Sequence, residues 1–321
     1  MGYASVTVFV CFLDYCKAFD KVNYWKLFKQ LIDDGVNGCI VQLLAFWYSH
    51  QQASVIWLHT QSESFYIGNG TKQGGILSPY LFTRYIRMML HMVSTSKIGC
   101  HISGVAMNIF AYADDVVLLA PSWHAMQDLI ALIAKCCKTL DLECNVKKTK
   151  CMIINPTDRS RIISNSFSQF CINGQLVQTV QEFRYLGHVI TSDMRDDSDI
   201  KREIRNMYLR TNMLIQRFRN CSVHVKTVIF KAYCVCLYGV PLWLHYNAGT
   251  MAKFKYCFHK CLKRFFGFSK YYSVTSVLLE LGLPSFDTVI HNYRFCFRSQ
   301  WRQHSNSLIG VVRGVCHDAF S

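Results

Sequence analysis

The sequence predicts an α+β fold, a largely antiparallel sheet with helices, followed by an α-helical second unit. Three observations lead there. Strand-like and helix-like runs alternate as far as Thr191 without the regular cadence of a doubly wound sheet. Strand signals stop after Asp199. From Ile200 onward, apolar residues recur at helical spacing (Ile204, Met207, Leu214, Phe218) with Lys and Arg opposite.

Residues 6–13 form a continuous apolar run rich in Val and Phe. It is of strand length, lacks a basic flank and ends on Asp14, so it reads as a buried strand and not as a signal or membrane segment. Trp25, Leu27, Phe28, Leu31 and Ile32 then mark a helix ending near Gly35, and residues 39–49 a second one. Residues 53–58 and 63–67 predict a hairpin before the glycine-rich turn at 70–75. A helix over 77–93 follows, opened by Ser78 as N-cap and Pro79 in the first turn. Two strand-like runs, 108–112 and 116–119, flank Ala113, Asp114 and Asp115, which makes a hairpin with carboxylates at its tip. Residues 123–140 have helical period, and 150–155 and 183–191 have strand character. A polar join at 191–199 leads to helices over 226–243 and 253–268 and a helical tail beyond Leu281. The expected domains are 1–195, 196–270 and a C-terminal helical extension, 271–321.

With 321 residues, 51% of them hydrophobic, the chain can bury large cores, which excludes a disordered tail or a small disulfide-stapled scaffold. A formal net charge of +15 points to a polyanionic partner. The excess is concentrated between Arg195 and Lys270, where Asp196, Asp197, Asp199 and Glu203 are the only acids. Sixteen cysteines scattered through apolar stretches read as reduced thiols of an intracellular protein. Neither Cys257/Cys261 nor Cys234/Cys236 is followed by a second Cys/His pair at zinc spacing.

Two carboxylate sites at separate strand ends, Asp14 and the Asp114/Asp115 pair, are what a two-metal phosphoryl transfer requires. Hard divalent cations prefer oxygen ligands, and adjacent like charges at a hairpin tip are unfavourable unless a cation neutralises them.

The run FLDYCKAFDKV (12–22), with GTKQGGILSP (70–79) and FAYADDVVLL (110–119), resembles the first three palm motifs of reverse transcriptases, in order and spacing. ECNVKKTKC (143–151) resembles the fourth, and FRYLGHVIT (183–191) the fifth, the primer-grip hairpin. KAFD and KAYCVCLYGVPLW (231–243) are similar to the non-LTR, LINE-type elements. The resemblance implies a polymerase palm, a basic helical thumb, and RNA-directed DNA polymerase activity on an RNA template, a DNA primer and dNTPs. Asp14, Asp114 and Asp115 would hold two Mg²⁺ ions, with Mn²⁺ able to substitute and the Tyr15 carbonyl as a further ligand. Phe19 would exclude a 2′-hydroxyl, and Gln73, Gly74 and Tyr112 would line the nucleotide pocket. Lys148, or its neighbour Lys147, would protonate the departing pyrophosphate, while Asp20 organises the turn after the strand.

In the same family reading, Tyr185, Leu186 and Gly187 hold the primer. Lys201, Arg202, Arg205, Arg210, Arg217 and Arg219 alternate with the apolar stripe, a one-sided surplus from which contacts to duplex phosphates are expected. Thirteen residues precede Asp14, where the family carries a basic fingers region, so this chain alone is expected to extend primers poorly. Two alternatives stay open: a catalytically silent or host-adopted nucleic-acid-binding relic, and a nuclease using the same acids.

Overall fold

The computed structural model describes residues 6–156, 162 and 167–315. Contacts divide the chain into two compact units, one ending at Val180 and one beginning at Gln181.

In chain order, the first unit runs β1 (Val8–Leu13), α1 (Tyr24–Asp33), α2 (Gly38–Ser49), β2 (Gln52–Ala53), β3 (Ile56–Trp57), β4 (Thr60–Gln61), β5 (Phe65–Tyr66) and α3 (Ser78–Thr95). It continues through β6 (His101–Ile102), β7 (Val105–Ala106), β8 (Ile109–Tyr112), β9 (Asp115–Ala120), α4 (Trp123–Thr139), β10 (Lys150–Ile154), β11 (Cys171–Ile172), β12 (Gln175–Leu176) and β13 (Gln178–Thr179). The main sheet has the order β13-β10-β1-β9-β8 and is antiparallel except where β13 joins β10. The apolar run at the start of the chain is thus the central strand, hydrogen-bonded on both sides.

Side-chain alternation sends Phe9, Cys11 and Leu13 into a core shared with Leu27 and Leu31 of α1, Tyr85 and Met89 of α3, and Leu129 and Ile133 of α4. Full burial of such a side chain stabilises by about 1.5–3 kcal/mol. The two helix starts that matter most here are capped locally. Asn23 accepts from the Trp25 and Lys26 amides, and Ser122 from the Ala125 amide.

Two local expectations change. The hairpin expected over 53–67 is a narrower ribbon in which β2 pairs with β5 and β3 with β4, interrupted where the Val55 amide donates to the Ser62 hydroxyl. Ser78 is the first residue of α3 and not its cap, and its hydroxyl donates to the Lys72 carbonyl.

The second unit comprises β14 (Glu182–Tyr185), β15 (His188–Thr191), α5 (Asp197–Phe218), α6 (Val223–Tyr233), a 3₁₀ turn (Val240–Leu242), α7 (Ala248–Phe266), α8 (Val274–Leu281), α9 (Phe286–Gln303) and α10 (Ser307–Val315). The strand-like run 183–191 is a two-stranded hairpin and groups with the helices, upstream of the expected join near residue 195. The polar stretch that follows contains the first turn of α5, where Asp197 and Asp199 suit the positive end of the helix dipole. The helix expected over 226–243 stops at Tyr233, and Gly239 adopts φ +90° before the 3₁₀ turn. Its core is aromatic: Phe230, Trp243, Phe254, Phe258 and Phe286 are essentially inaccessible. Among the described residues, all cysteines are free and no helix is long and apolar enough to cross a membrane.

Candidate active site

In the sheet register Phe12 pairs with Val117 and Leu13 with Val116, so the end of β1 that leads into Asp14 lies beside the start of β9 at Asp115. Cα atoms at opposed positions of an antiparallel pair lie about 4.5–5.5 Å apart. Tyr112 pairs with Asp115 across the β8–β9 hairpin, which leaves Ala113 and Asp114 as its two-residue tip. Ala113 has φ +54°, a left-handed conformation that costs a non-glycine residue roughly 1–2 kcal/mol. Asp14 is half-buried, whereas Asp114 and Asp115 are exposed. Partial burial, and then the neighbouring charges of Asp114 and Asp14, hold the Asp115 carboxyl above its ordinary value. The Asp14 Oδ2 atom is buried without a hydrogen-bond partner.

The segment around Lys148 is laced to Asp14. The Asp14 amide donates to Thr149 Oγ1 (3.2 Å), the Asn145 amide donates to the Asp14 carbonyl (2.8 Å), and the Cys16 amide donates to the Glu143 carbonyl (2.8 Å). Lys21 and Glu143 add an ion pair at 2.8 Å. Lys147 and Lys148 stand exposed on the turn so fixed. Thr149 and Asn145, the residues that set this turn against Asp14, escaped the sequence reading. Their only signal is their position on either side of the lysine pair.

The Tyr15 side chain lies in the core, with its hydroxyl 3.6 Å from Met89 Sδ, so any role in ligand binding falls to its backbone carbonyl. Phe19 is half-buried and stacks on Phe82 at 4.7 Å between ring centroids. The 70–75 loop is sewn to the same segment by bonds from the Gly70 amide to the Val22 carbonyl and from the Thr71 amide to the Phe19 carbonyl. Gln73 and Gly74 are exposed on that loop. Gln73 lines an open cleft of about 570 Å³ together with Asp20, Trp47, Gln52 and Lys72. Tyr112 is 67% exposed beside the carboxylates.

In the second unit Tyr185 and His188 close a hairpin whose turn residues, Leu186 and Gly187, have φ +46° and +82°, as a tight primed turn requires. On α5 the side chains of Lys201, Arg205 and Arg217 are exposed at multiples of four residues, and Arg219 is exposed just past the helix. Arg202 is different. Its guanidinium is buried, with Nε 2.6 Å and Nη2 3.1 Å from the Asp199 carboxylate and Nη1 3.0 Å from Glu203. Arg210 bonds Glu203 and, at 3.3 Å, the Cys236 carbonyl. Arg202, buried and paired, is thus not the surface cation expected for a phosphate contact, and the partly exposed Arg210 is paired with the internal Glu203 carboxylate.

The reverse transcriptase (RNA-dependent DNA polymerase) profile matches residues 5–190. The chain belongs to the reverse transcriptase family. Its relatives are polymerases of non-LTR retrotransposons. It is 23% identical over 317 residues to the RNA-directed DNA polymerase from mobile element jockey of Drosophila funebris, covering 93% of this chain and 32% of that protein. A Pol polyprotein from the type-1 retrotransposable element R2 of Popillia japonica is 28% identical over 184 residues, 55% of this chain and 25% of the relative. The chain thus spans about a third or less of these relatives' length. A telomerase of Candida albicans, solved with a fragment of telomeric RNA, overlays loosely, with a TM-score of 0.44 at 12% identity over 87% of this chain and 50% of its own.

Reverse transcriptases generally use divalent metals. The donor set here fits a hard cation: three carboxylates, one with an orphaned buried oxygen and one held above its ordinary pKa by partial burial and then by the charges of the other two. Among the described residues, however, no three His, Cys, Asp or Glu side chains are already gathered into a metal cage.

The sewn loop gives a direct prediction. Gly70 has φ +92°, and a Cβ there would lie 2.8 Å from the Asp20 backbone. Gly70→Ala should destabilise the first unit by about 1–3 kcal/mol, measured by urea unfolding.

Proposed function

We propose that this chain carries the RNA-directed DNA polymerase activity of a retrotransposon, adding deoxynucleotides to a primer 3′-hydroxyl on an RNA template. The observation that carries the proposal is the register that lays the end of β1 beside the start of β9, so that Asp14 and Asp114 act electrostatically on Asp115, with Asp114 at the adjoining tip. Asp14, Asp114 and Asp115 would hold two Mg²⁺ ions, for which Mn²⁺ can substitute. When bound, the ions supply charge neutralisation at the attacking and leaving oxygens of the transferred phosphoryl group.

The remaining roles belong to the chain. Half-buried Phe19, braced by Phe82, is rigid enough to exclude a 2′-hydroxyl. Gln73, Gly74 and Tyr112 are exposed for contact with the nascent base pair. Lys148, on the turn tied to Asp14, is the proton donor to pyrophosphate, a contribution of about 10²–10⁴-fold. The palm comprises the sheet-containing unit, the thumb the helices from α5 to α7, and α8–α10 form a C-terminal extension.

Primer extension on a DNA-primed RNA template with dNTPs and Mg²⁺ tests the proposal. Template-dependent addition is expected, and no addition under Mg²⁺ or Mn²⁺ refutes it. Binding of the same primed template should weaken with salt. Changing Lys201, Arg205 or Arg217 to Gln should each lower the log–log salt slope by about one. Arg202→Gln should leave the slope unchanged and lower the melting temperature instead, because that guanidinium is buried and paired.

A further inference from the structure

The KAYCVCLYGVPLW segment has no role in the chemistry above, yet it converges on the 182–191 hairpin within the second unit. Tyr238 Oη donates to the Leu186 carbonyl at 2.7 Å, so it holds the hairpin at its turn. The Tyr238 ring also covers Gly187, where a Cβ would come within 3.2 Å of it. Leu186 needs such a restraint, because a branched side chain in the left-handed region is an unfavoured choice for a turn residue.

The other side of the turn is fixed from the same segment. Gly239, at φ +90°, lets the backbone pass where a Cβ would stand 2.9 Å from His188 Nδ1 and 3.0 Å from Asp199 Oδ2. Asp199 accepts from the Val189 amide (2.9 Å) and from Trp243 Nε1 (2.8 Å), and His188 Nδ1 lies 3.0 Å from its carboxylate. Arg202, bonded to Asp199, reaches the Tyr238 carbonyl at 3.4 Å. Tyr238 and Gly239 directly, and Trp243 through Asp199, therefore hold residues 186–189 from both flanks, and Tyr238 Oη bonds the turn itself.

We propose that Tyr238 is a positioning residue for polymerisation: its hydroxyl fixes the Leu186–Gly187 turn in the conformation that engages the primer strand. The proposal rests on the polymerase reading and adds to it a residue outside the catalytic unit. Tyr238 is 56% exposed, so removing one oxygen leaves the aromatic core of the unit untouched.

The test is Tyr238→Phe in the full chain. One hydrogen bond lost at a turn should raise amide exchange at residues 186–189 about 2–10-fold, with the melting temperature lowered by no more than a few degrees. On DNA-primed RNA, the KM for primed template should rise by a similar factor while kcat is kept. Gly187→Ala, which drives a Cβ toward the Tyr238 ring, should move both readouts in the same direction. Unchanged exchange in Tyr238→Phe overturns the proposal, because the hydroxyl then fixes nothing. Faster exchange with unchanged KM also overturns it, because the turn is then held for some other purpose. Exchange needs no catalysis, so a chain that extends no primer at all would defeat the polymerase reading separately.

Discussion

Asp115→Asn should lower primer extension by at least about 10²–10³-fold, the range for deleting one group that stabilises transition-state charge, while leaving the melting temperature equal or higher. The two effects share one cause. Burial and the charges of Asp114 and Asp14 oppose ionisation of Asp115, so the unliganded protein is strained by the carboxylate that the proposed metal site would use. The sign is that of an acid whose folded pKa is raised: its charged form disfavours the folded state above the ordinary carboxylate pKa, and a neutral amide removes that penalty. Asp14→Asn and Asp114→Asn should lose activity to a similar extent. Extension measured beside thermal melting checks both halves, and full activity in all three variants would remove the metal site from the mechanism.

The largest stability effect is expected at Asp199. Asp199→Ala leaves the Arg202 guanidinium, the Trp243 indole N–H and the Val189 amide without their shared acceptor. Breaking a buried charge pair typically costs about 3–5 kcal/mol, and Glu203, still 3.0 Å from Arg202, will soften the loss toward the lower figure. Burial by itself raises the Asp199 pKa, but bonds from His188, Arg202, Val189 and Trp243 outweigh it and hold the carboxyl well below its usual range. A depressed folded pKa means that this contribution is complete above the ordinary carboxylate pKa. It disappears only as pH falls through the lower folded value. Urea unfolding from neutral to strongly acidic pH should therefore show wild type and Asp199→Ala converging only at the acid end.

Much of this was legible in the sequence because it depends on period and punctuation. The uninterrupted 6–13 run could only be a buried strand, and the helices opening at Asn23 and Ser122 announce themselves by cap and apolar spacing. The positions of the three carboxylates were legible because a strand end and a hairpin tip are marked by local pattern.

What failed depends on side-chain partners that no periodicity specifies. Arg202 read as a surface cation, since Arg is almost never buried unless paired, and nothing in a helical wheel says that Asp199 and Glu203 turn inward with it. The 53–67 ribbon depended on a Ser62 side chain competing for a backbone amide. The bond between Asp14 and Thr149 joins residues 135 apart, beyond any local pattern.

That separation also bears on how the protein is made. β1 is translated first, yet both of its sheet neighbours come later, and the second of them, β10, ends at Ile154. At roughly 5–20 residues per second, the interval between the two is on the order of ten seconds. The segment VFVCFL, apolar, uncharged and without proline, has neither edge paired until β9 is made, and one edge open until β10 follows. The ribosome-bound chain is therefore exposed to aggregation at its most hydrophobic strand before the site that strand supports exists. Yield in a foreign host should then depend on chaperone supply and translation speed more than on the stability of the finished fold.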